Sequence, residues 1–167
     1  MKYILDFDRT VFDMDRLYAC ITKNNPLVAL GTVASLENID LTRFIFPDAL
    51  AFLVTQQQND ICIVSSCYGT SAVWDMAYQT EKIKRSGIAQ YVNKVFVVPE
   101  SKVAVIKRLS QDTVATVFVD DHPEHVQAVA SALPEVHTFY LDRSNSAPIP
   151  LGGIPMIKSL TELPLAI

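Results

Sequence analysis

The chain has 167 residues, half of them hydrophobic and 19% charged, which is typical of one globular domain and excludes a disordered chain. Lys and Arg number 14 against 18 Asp and Glu, and this net charge of −4 argues against a nucleic-acid partner. The three cysteines lack CxxC spacing, which argues against a disulfide framework and favours a reducing compartment.

Two further features bear on location. No hydrophobic run approaches the ~18 residues that a membrane-spanning helix needs, so no membrane partner is expected. Asp6 and Asp8 stand too close to the N-terminus for a signal peptide. We therefore expect a cytoplasmic protein.

The first third of the chain begins with a hydrophobic run at residues 2–7, which predicts a buried strand. Residues 13–46 are the least regular part and predict a small helical insertion, with one helix at residues 14–22. A further helix is predicted at residues 48–57, because a proline precedes it and its hydrophobic residues recur with helical spacing. The buried side of this helix is expected to contain Leu50, Leu53 and Val54.

The rest of the chain alternates between strands and helices. Hydrophobic, β-branched runs predict strands at residues 61–65, 94–98, 115–119 and 136–141. Helical spacing, with Pro or Gly at several boundaries, predicts helices at residues 71–85, 101–109 and 123–133. This order predicts an α/β fold, a doubly wound (Rossmann-like) parallel sheet of about five strands with helices on both faces.

The C-terminal part has a different composition. Four of the nine prolines and a Gly-Gly pair fall in the last 20 residues. We expect residues 142–167 to be an extended segment that wraps a single domain formed by residues 1–167. A short helix is predicted within it at residues 158–163.

Acidic and hydroxyl side chains follow three of the predicted strands. They are, in chain order, Asp6 and Asp8, Ser65 and Ser66, and Asp120 and Asp121. Ligands bind beyond the carboxyl ends of the strands in open parallel sheets, so these side chains are expected to meet. Carboxylates that close repel one another unless they take up protons or a cation. Mg²⁺ takes one or two protein carboxylates together with waters and a substrate phosphate, so the cluster suggests Mg²⁺ as cofactor.

The segment ILDFDRTVFD at residues 4–13 resembles the first motif of the haloacid dehalogenase superfamily, a strand followed by Asp-x-Asp-x-Thr. Three further motifs have counterparts in the right order, namely IVSS at residues 63–66, Lys102 at a helix start, and FVDDHPEHVQAV at residues 118–129. The resemblance spans residues 2–133 and implies a hydrolase of that superfamily.

The resemblance implies a role for each matching residue. Asp6 would be the nucleophile that forms an aspartyl-phosphate, and Asp8 would be the general acid and then the general base. Thr10 would help to fix the loop that carries Asp8. The residues that bind the phosphoryl group would be Ser65, Ser66 and Lys102.

The same resemblance implies the magnesium ligands. They would be the carboxylate of Asp6, the backbone carbonyl of Asp8 and the carboxylate of Asp120. Asp121 would ligate the metal directly, hold a metal-bound water or contact Lys102, and it could instead cap the following helix.

Asp8 separates the reaction types of the superfamily. Its dehalogenases lack an acid two residues after the nucleophile, because a halide leaves without a proton. Asp8 therefore points to hydrolysis of a phosphate monoester, with a small phosphorylated metabolite as substrate. Two alternatives stay open, a phosphomutase of the same family and a catalytically idle module that binds phospho-ligands or signals.

Members of the superfamily differ in a cap inserted after the first or the second motif. One helix, a turn and one strand fill the stretch from Ser65 to Lys102, so no large cap fits there. Residues 13–46 remain, and they predict a minimal helical cap or a nearly open site. Such a site suits a bulky substrate, or a homodimer in which the partner subunit supplies the lid.

A transition-metal site is the competing interpretation of the fourth motif. His122 and His125, with Asp120 and Glu124, offer the ligand types that zinc prefers. His-x-x-His beside acids is a weak signal, and His122 stands before a proline, where we expect it to face solvent.

Overall fold

The computed structural model of the chain describes residues 1–67, 76–99, 101–111, 114–144 and 151–164. Six strands are present in these ranges: β1 (Lys2–Leu5), β2 (Asp60–Ser66), β3 (Lys94–Val98), β4 (Thr116–Asp120), β5 (His137–Leu141) and β6 (Met156–Ile157). They form one sheet in the order β3-β2-β1-β4-β5-β6, and every neighbouring pair is parallel.

The helices connect successive strands. They are α1 (Met14–Asn24), α2 (Pro47–Thr55), α3 (Met76–Arg85), α4 (Val103–Leu109) and α5 (Pro123–Ala132). Short 3-10 helices occur at Val33–Leu36, Leu41–Phe44, Ile88–Gln90 and Leu160–Glu162. Within the described ranges, no helix has the length and hydrophobicity to cross a membrane.

Alternate residues of the central strand β1 enter different cores, as strand geometry requires. Tyr3 and Leu5 pack in a core shared with α1, α2 and α3, whereas Ile4 packs in a core shared with α4 and α5. The predicted doubly wound α/β fold, with helices on both faces of a parallel sheet, is confirmed.

The sheet has one strand more than expected. β6 extends it beyond β5, with Tyr140 paired to Met156 and Leu141 paired to Ile157. Two residues are too few to show an alternating pattern, so the sequence did not reveal this strand. The helix predicted at residues 158–163 is the 3-10 helix at Leu160–Glu162. Residues 145–150 and 165–167 of the predicted extended segment lie outside the described residues.

The buried face of α2 differs from the prediction. Leu53 is buried as expected, but its buried companions are Ala49 and Phe52. Leu50 and Val54 are 37% and 51% exposed, so assigning them to the core was wrong. The helix has two hydrophobic stripes, and the one that contains Phe52 is buried. The Phe52 ring packs edge-on against that of Tyr3 in the core, with ring centroids 5.0 Å apart.

The insertion at residues 13–46 contains α1 and two of the 3-10 helices. Leu17, Leu36 and Phe44 from these three elements are buried in the same core as β1. The segment therefore lies against the body of the domain. Its role as a cap over the site stays a prediction.

Helix α3 was predicted at residues 71–85, and residues 71–75 lie outside the described residues. Its C-terminus is at Arg85, two residues before Gly87. Gly87 has φ 73°, a left-handed conformation that glycine adopts without strain, so it ends the helix as predicted.

Candidate active site

The sheet topology brings the predicted strand ends together. β1 lies between β2 and β4, and Leu5 pairs with Ile63 on one side and with Val119 on the other. Asp6 therefore leaves β1 beside the end of β4, where Asp120 stands. Carboxylate oxygens of Asp6, Asp120 and Asp121 lie within 4.8 Å of one another.

A cavity of about 320 Å³ opens at this edge of the sheet. Six of the seven site residues predicted from the sequence line it. The seventh, Lys102, does not line the cavity but donates hydrogen bonds to two residues that do. The lining residues are Asp6, Asp8, Arg9, Ser65, Ser66, Asp120, Asp121, His122, Glu124 and His125.

Lys102 is the buried cation beneath the cavity. It precedes the first residue of α4, and only 1% of it is exposed. Its ammonium group donates to Oδ1 of Asp6 and, at 2.7 Å, to Oδ2 of Asp120. Burial alone would lower the pKa of Lys102, but Asp120 and Asp6 outweigh burial and raise it, so this lysine stays charged.

Asp120 is fully buried and heavily hydrogen-bonded. Its Oδ1 accepts from the backbone N–H of His122 at 2.8 Å, and its Oδ2 lies 3.1 Å from Nδ1 of His125 as well as near Lys102. Burial would raise the pKa of Asp120, but Lys102 and His125 outweigh it and lower the pKa. The carboxylate is thus held ionised and in one orientation.

The pKa values of the other two acids are shifted in the opposite direction, upwards. Burial, together with the charges of Asp120 and Asp8, raises the pKa of Asp6 to about 7 although Lys102 opposes the shift. Burial and the charges of Asp6 and Asp120 raise the pKa of Asp121 to about 8. The cluster therefore carries more negative charge than its surroundings stabilise, and a bound cation would relieve it.

These three carboxylates fit a hard divalent cation, because all their donor atoms are oxygens close enough to share one ion. Mg²⁺ meets this description. Neither His122 nor His125 belongs to the group of ligand atoms that meet within the described part of the chain. The zinc interpretation of the fourth motif therefore receives no support from this geometry.

Asp8 has partners that the sequence did not reveal. The Lys82 ammonium donates to its Oδ1 at 2.7 Å and its Oδ2 at 2.9 Å. The Gln79 amide nitrogen donates to Oδ2 of Asp8 and to Oγ of Ser65, both at 2.7 Å. Both donors come from α3 and both are fully buried. Three hydrogen bonds from α3 therefore stabilise the Asp8 carboxylate.

Lys82 is an unusual core residue. Its ammonium group lies 4.9 Å from the ring centroid of Tyr78 and just under 6 Å from those of Phe7 and Phe12. Burial lowers the pKa of Lys82, and the nearby Asp8 carboxylate offsets part of that effect. The only sequence signal was positional, because Gln79 and Lys82 share the stripe that buries Tyr78 and Ile83.

Ser65 is buried at the end of β2, where Gln79 donates to its oxygen. The hydroxyl therefore keeps its own hydrogen for a ligand in the cavity. Ser66 follows it and is half-buried at the cavity wall. Thr10 is also buried, but its hydroxyl has no hydrogen-bond partner among the described residues, so the expected role of that hydroxyl in fixing the loop is not seen.

No protein-family model and no curated protein matches this chain. Solved structures do match it, at low sequence identity. A haloacid dehalogenase-like hydrolase from Burkholderia xenovorans is 17% identical, with a TM-score of 0.63 over 86% of this chain and 84% of that one. The HAD-hydrolase YfnB from Bacillus subtilis, bound to magnesium, is 15% identical, with a TM-score of 0.61 over 96% and 95% of the two chains.

A third structure represents a different chemistry. The L-2-haloacid dehalogenase from Xanthobacter autotrophicus, with chloropropionic acid covalently bound, is 12% identical. Its TM-score is 0.59, over 87% of this chain and 78% of that one. The chain therefore has the fold of the haloacid dehalogenase-like hydrolases, as the sequence resemblance predicted.

Proposed function

We propose that the chain is a Mg²⁺-dependent phosphate monoester hydrolase that acts through an aspartyl-phosphate on Asp6. One observation carries the proposal. Asp6 and Asp8 line the same cavity, and each is held by its own buried lysine, Lys102 and Lys82 respectively. Two carboxylates with separate cations are suited to separate tasks, nucleophilic attack and proton transfer.

In the first step a carboxylate oxygen of Asp6 attacks phosphorus in line with the leaving oxygen. The new P–O bond forms as the bond to the leaving group breaks, and the protonated form of Asp8 gives its proton to the leaving oxygen, which leaves the carboxylate that Lys82 and Gln79 stabilise. Lys102 offsets the charge that collects around Asp6, and the Ser65 hydroxyl donates to a phosphoryl oxygen. Phosphoryl transfer depends mainly on such positioning and charge stabilisation.

In the second step water attacks the phosphorus of the aspartyl-phosphate. Asp8 takes a proton from that water, the bond between phosphorus and Asp6 breaks, and inorganic phosphate leaves. Magnesium, held by the carboxylates of Asp6, Asp120 and Asp121 and by the carbonyl of Asp8, would neutralise phosphoryl charge.

We place a small phosphorylated metabolite in the cavity, since about 320 Å³ is room for a phosphate and a short leaving group. Residues 13–46 would act as a minimal cap, and Gln79 and Lys82 of α3 would support the cavity wall from behind through Asp8 and Ser65. A phosphomutase is less favoured, because so short a cap is poorly suited to retain and turn an intermediate.

A haloacid dehalogenase is the competing activity, because several solved structures with this fold are dehalogenases. Asp8 argues against it, since halide release needs no proton.

The deciding experiment measures hydrolysis of an aryl phosphate with Mg²⁺ and with a chelator, in wild type and Asp6→Asn. Release of chloride from 2-chloropropionate is measured in parallel. We expect phosphate release that needs both the metal and Asp6, and no chloride release. Chloride release without phosphatase activity would identify a dehalogenase, and no turnover on a broad panel of phosphate esters would favour an idle binding module.

A further inference from the structure

Arg143 stands two residues beyond β5 and belongs to none of the four motifs. Its guanidinium donates to the backbone carbonyls of Arg9 (3.1 Å) and Thr10 (2.8 Å), in the loop directly after Asp8. It also forms a two-point ion pair with Asp48, at 2.9 and 3.0 Å, and lies 4.0 Å from the ring centroid of Phe46. One side chain thus joins the end of β5, the start of α2 and the loop that follows β1.

That loop makes an abrupt bend immediately after Asp8. Arg9 has φ 56°, a left-handed conformation that costs a non-glycine residue on the order of 1 kcal/mol. The backbone N–H groups of Val11 and Phe12 both donate to the carbonyl of Phe7, at 2.9 and 2.8 Å. The bend must therefore be held by contacts from outside the loop as well as by its own hydrogen bonds.

Among the described residues, Arg143 donates to the carbonyls of Arg9 and Thr10, neither of which accepts a backbone hydrogen bond. The Thr10 hydroxyl, which the sequence offered for this task, has no partner there. A planar guanidinium presents five donors in fixed directions, so Arg143 can bond two successive carbonyls and both oxygens of Asp48 at once, whereas a lysine ammonium has only three donors.

Arg143 is itself held in place. Asp48, in the first turn of α2, also accepts from Oγ of Ser159 at 3.0 Å and from the backbone N–H of Leu160 at 2.9 Å. The Arg143 side chain is 19% exposed and that of Asp48 is 21% exposed, so solvent competes little with their ion pair. The guanidinium is therefore a rigid support rather than a mobile surface charge.

We propose that Arg143 is a positioning residue that holds the loop at residues 8–10 in the geometry that directs Asp8 into the cavity. Its effect on turnover rests on the proposed function, whereas its effect on the loop does not. Asp8 contributes both its carboxylate and its carbonyl to the proposed chemistry, so an error in the bend would displace both.

The first measurement is hydrogen exchange, by mass spectrometry, of a peptide covering residues 7–13 in wild type and Arg143→Lys. We expect the Val11 and Phe12 amides to exchange about tenfold or more faster in the variant, because the bend opens more often. Arg16→Lys is the matched control, since Arg16 donates to the Arg43 carbonyl at 3.2 Å and lies 5.6 Å from the Phe44 ring. Exchange in this peptide within twofold of wild type in Arg143→Lys overturns the proposal.

The second measurement is steady-state kinetics with an aryl phosphate. In Arg143→Lys we expect kcat to fall about 10- to 100-fold while KM changes less than about threefold, since misplaced catalytic groups slow chemistry more than binding. Glu162→Gln removes a charge from an exposed residue of the same C-terminal segment, which accepts from the Lys158 N–H at 3.2 Å, and should keep kcat within about twofold. Faster exchange with an unchanged kcat would show that Arg143 holds the loop but does not position Asp8, and would overturn the proposal.

The two measurements keep this inference separate from the proposed function. A wild-type protein without activity on any phosphate ester would end the proposed function. The exchange result would still decide whether Arg143 holds the loop. A change of KM alone in Arg143→Lys would instead indicate a direct contact with substrate, and would also overturn the positioning role.

Discussion

The ammonium group of Lys82 lies 2.7 Å from Oδ1 and 2.9 Å from Oδ2 of Asp8, so the second acid of the first motif has a buried cation as its partner. The lysine side chain is fully buried, whereas that of Asp8 is 13% exposed at the cavity wall. The pair thus connects the core beneath α1 and α3 with the surface at which a substrate would bind.

Replacing Lys82 with methionine should destabilise the protein, because the Asp8 carboxylate would lose its cation while staying largely buried. We expect a loss of about 3 kcal/mol in the free energy of unfolding, measured by denaturant titration. The double variant Asp8→Asn/Lys82→Met should recover much of this loss. Lys84→Met, an exposed position on the same helix, is the control and should change stability by less than about 0.5 kcal/mol. A Lys82→Met protein as stable as this control would contradict the prediction.

Replacing Asp8 with asparagine should affect substrates according to their leaving groups. A poor alkyl leaving group needs a proton as it departs, whereas a good aryl leaving group does not. We expect kcat/KM to fall about 10³-fold for an alkyl phosphate and about tenfold for an aryl phosphate. The ratio kcat/KM reports formation of the aspartyl-phosphate, so the later task of Asp8 as a base does not enter. Equal losses for the two substrates would rule out proton donation by Asp8.

Magnesium should stabilise the protein more at pH 8 than at pH 6. The pKa values of Asp6 and Asp121 are raised to about 7 and about 8, so the folded protein holds protons there that the unfolded chain has lost. Without metal, the cluster therefore lowers stability as pH rises through this range. Magnesium must displace those protons, and it binds more readily once they are gone.

The measurement is the melting temperature with and without Mg²⁺ at the two pH values. In wild type we expect Mg²⁺ to raise the melting temperature more at pH 8 than at pH 6. At pH 8 the rise should be smaller in Asp121→Asn. The control Glu135→Gln, which changes an exposed acid outside the cluster, should respond as wild type does. A rise that is equal at both pH values would contradict the charge balance described for the cavity.

The two hydrophobic stripes of α2 should respond differently to truncation. Leu53 is fully buried, so Leu53→Ala should lower the free energy of unfolding by about 3 kcal/mol. Val54 is 51% exposed, so Val54→Ala should change it by less than about 0.5 kcal/mol. Denaturant titration of both variants tests this, and similar losses would mean that α2 packs with the other stripe.

The parts of the site that could be predicted are those that local pattern and topology determine together. Asp6, Ser65 and Asp120 each end a hydrophobic run, and parallel strands place their carboxyl ends at one edge of a sheet. Lys102 was identified only because its position before a helix resembles a motif. No long-range information was needed for any of these four.

The residues that escaped prediction depend on how distant segments pack. Gln79 and Lys82 look like ordinary polar residues of an amphipathic helix, and only the approach of α3 to Asp8 gives them a role. Arg143 follows the fifth strand with no neighbouring pattern at all. β6 is recognisable only because β5 offers it an open edge. In each case the deciding partner is more than ten residues away.

The side-chain nitrogen of Gln79 donates both to the Asp8 carboxylate, which follows β1, and to the Ser65 hydroxyl on β2. These are the groups that we propose to transfer the proton and to bind the phosphate. A tilt or slide of α3 would therefore disturb both contacts at once. Under the proposed function, a change in this helix that alters leaving-group preference would also alter phosphate binding.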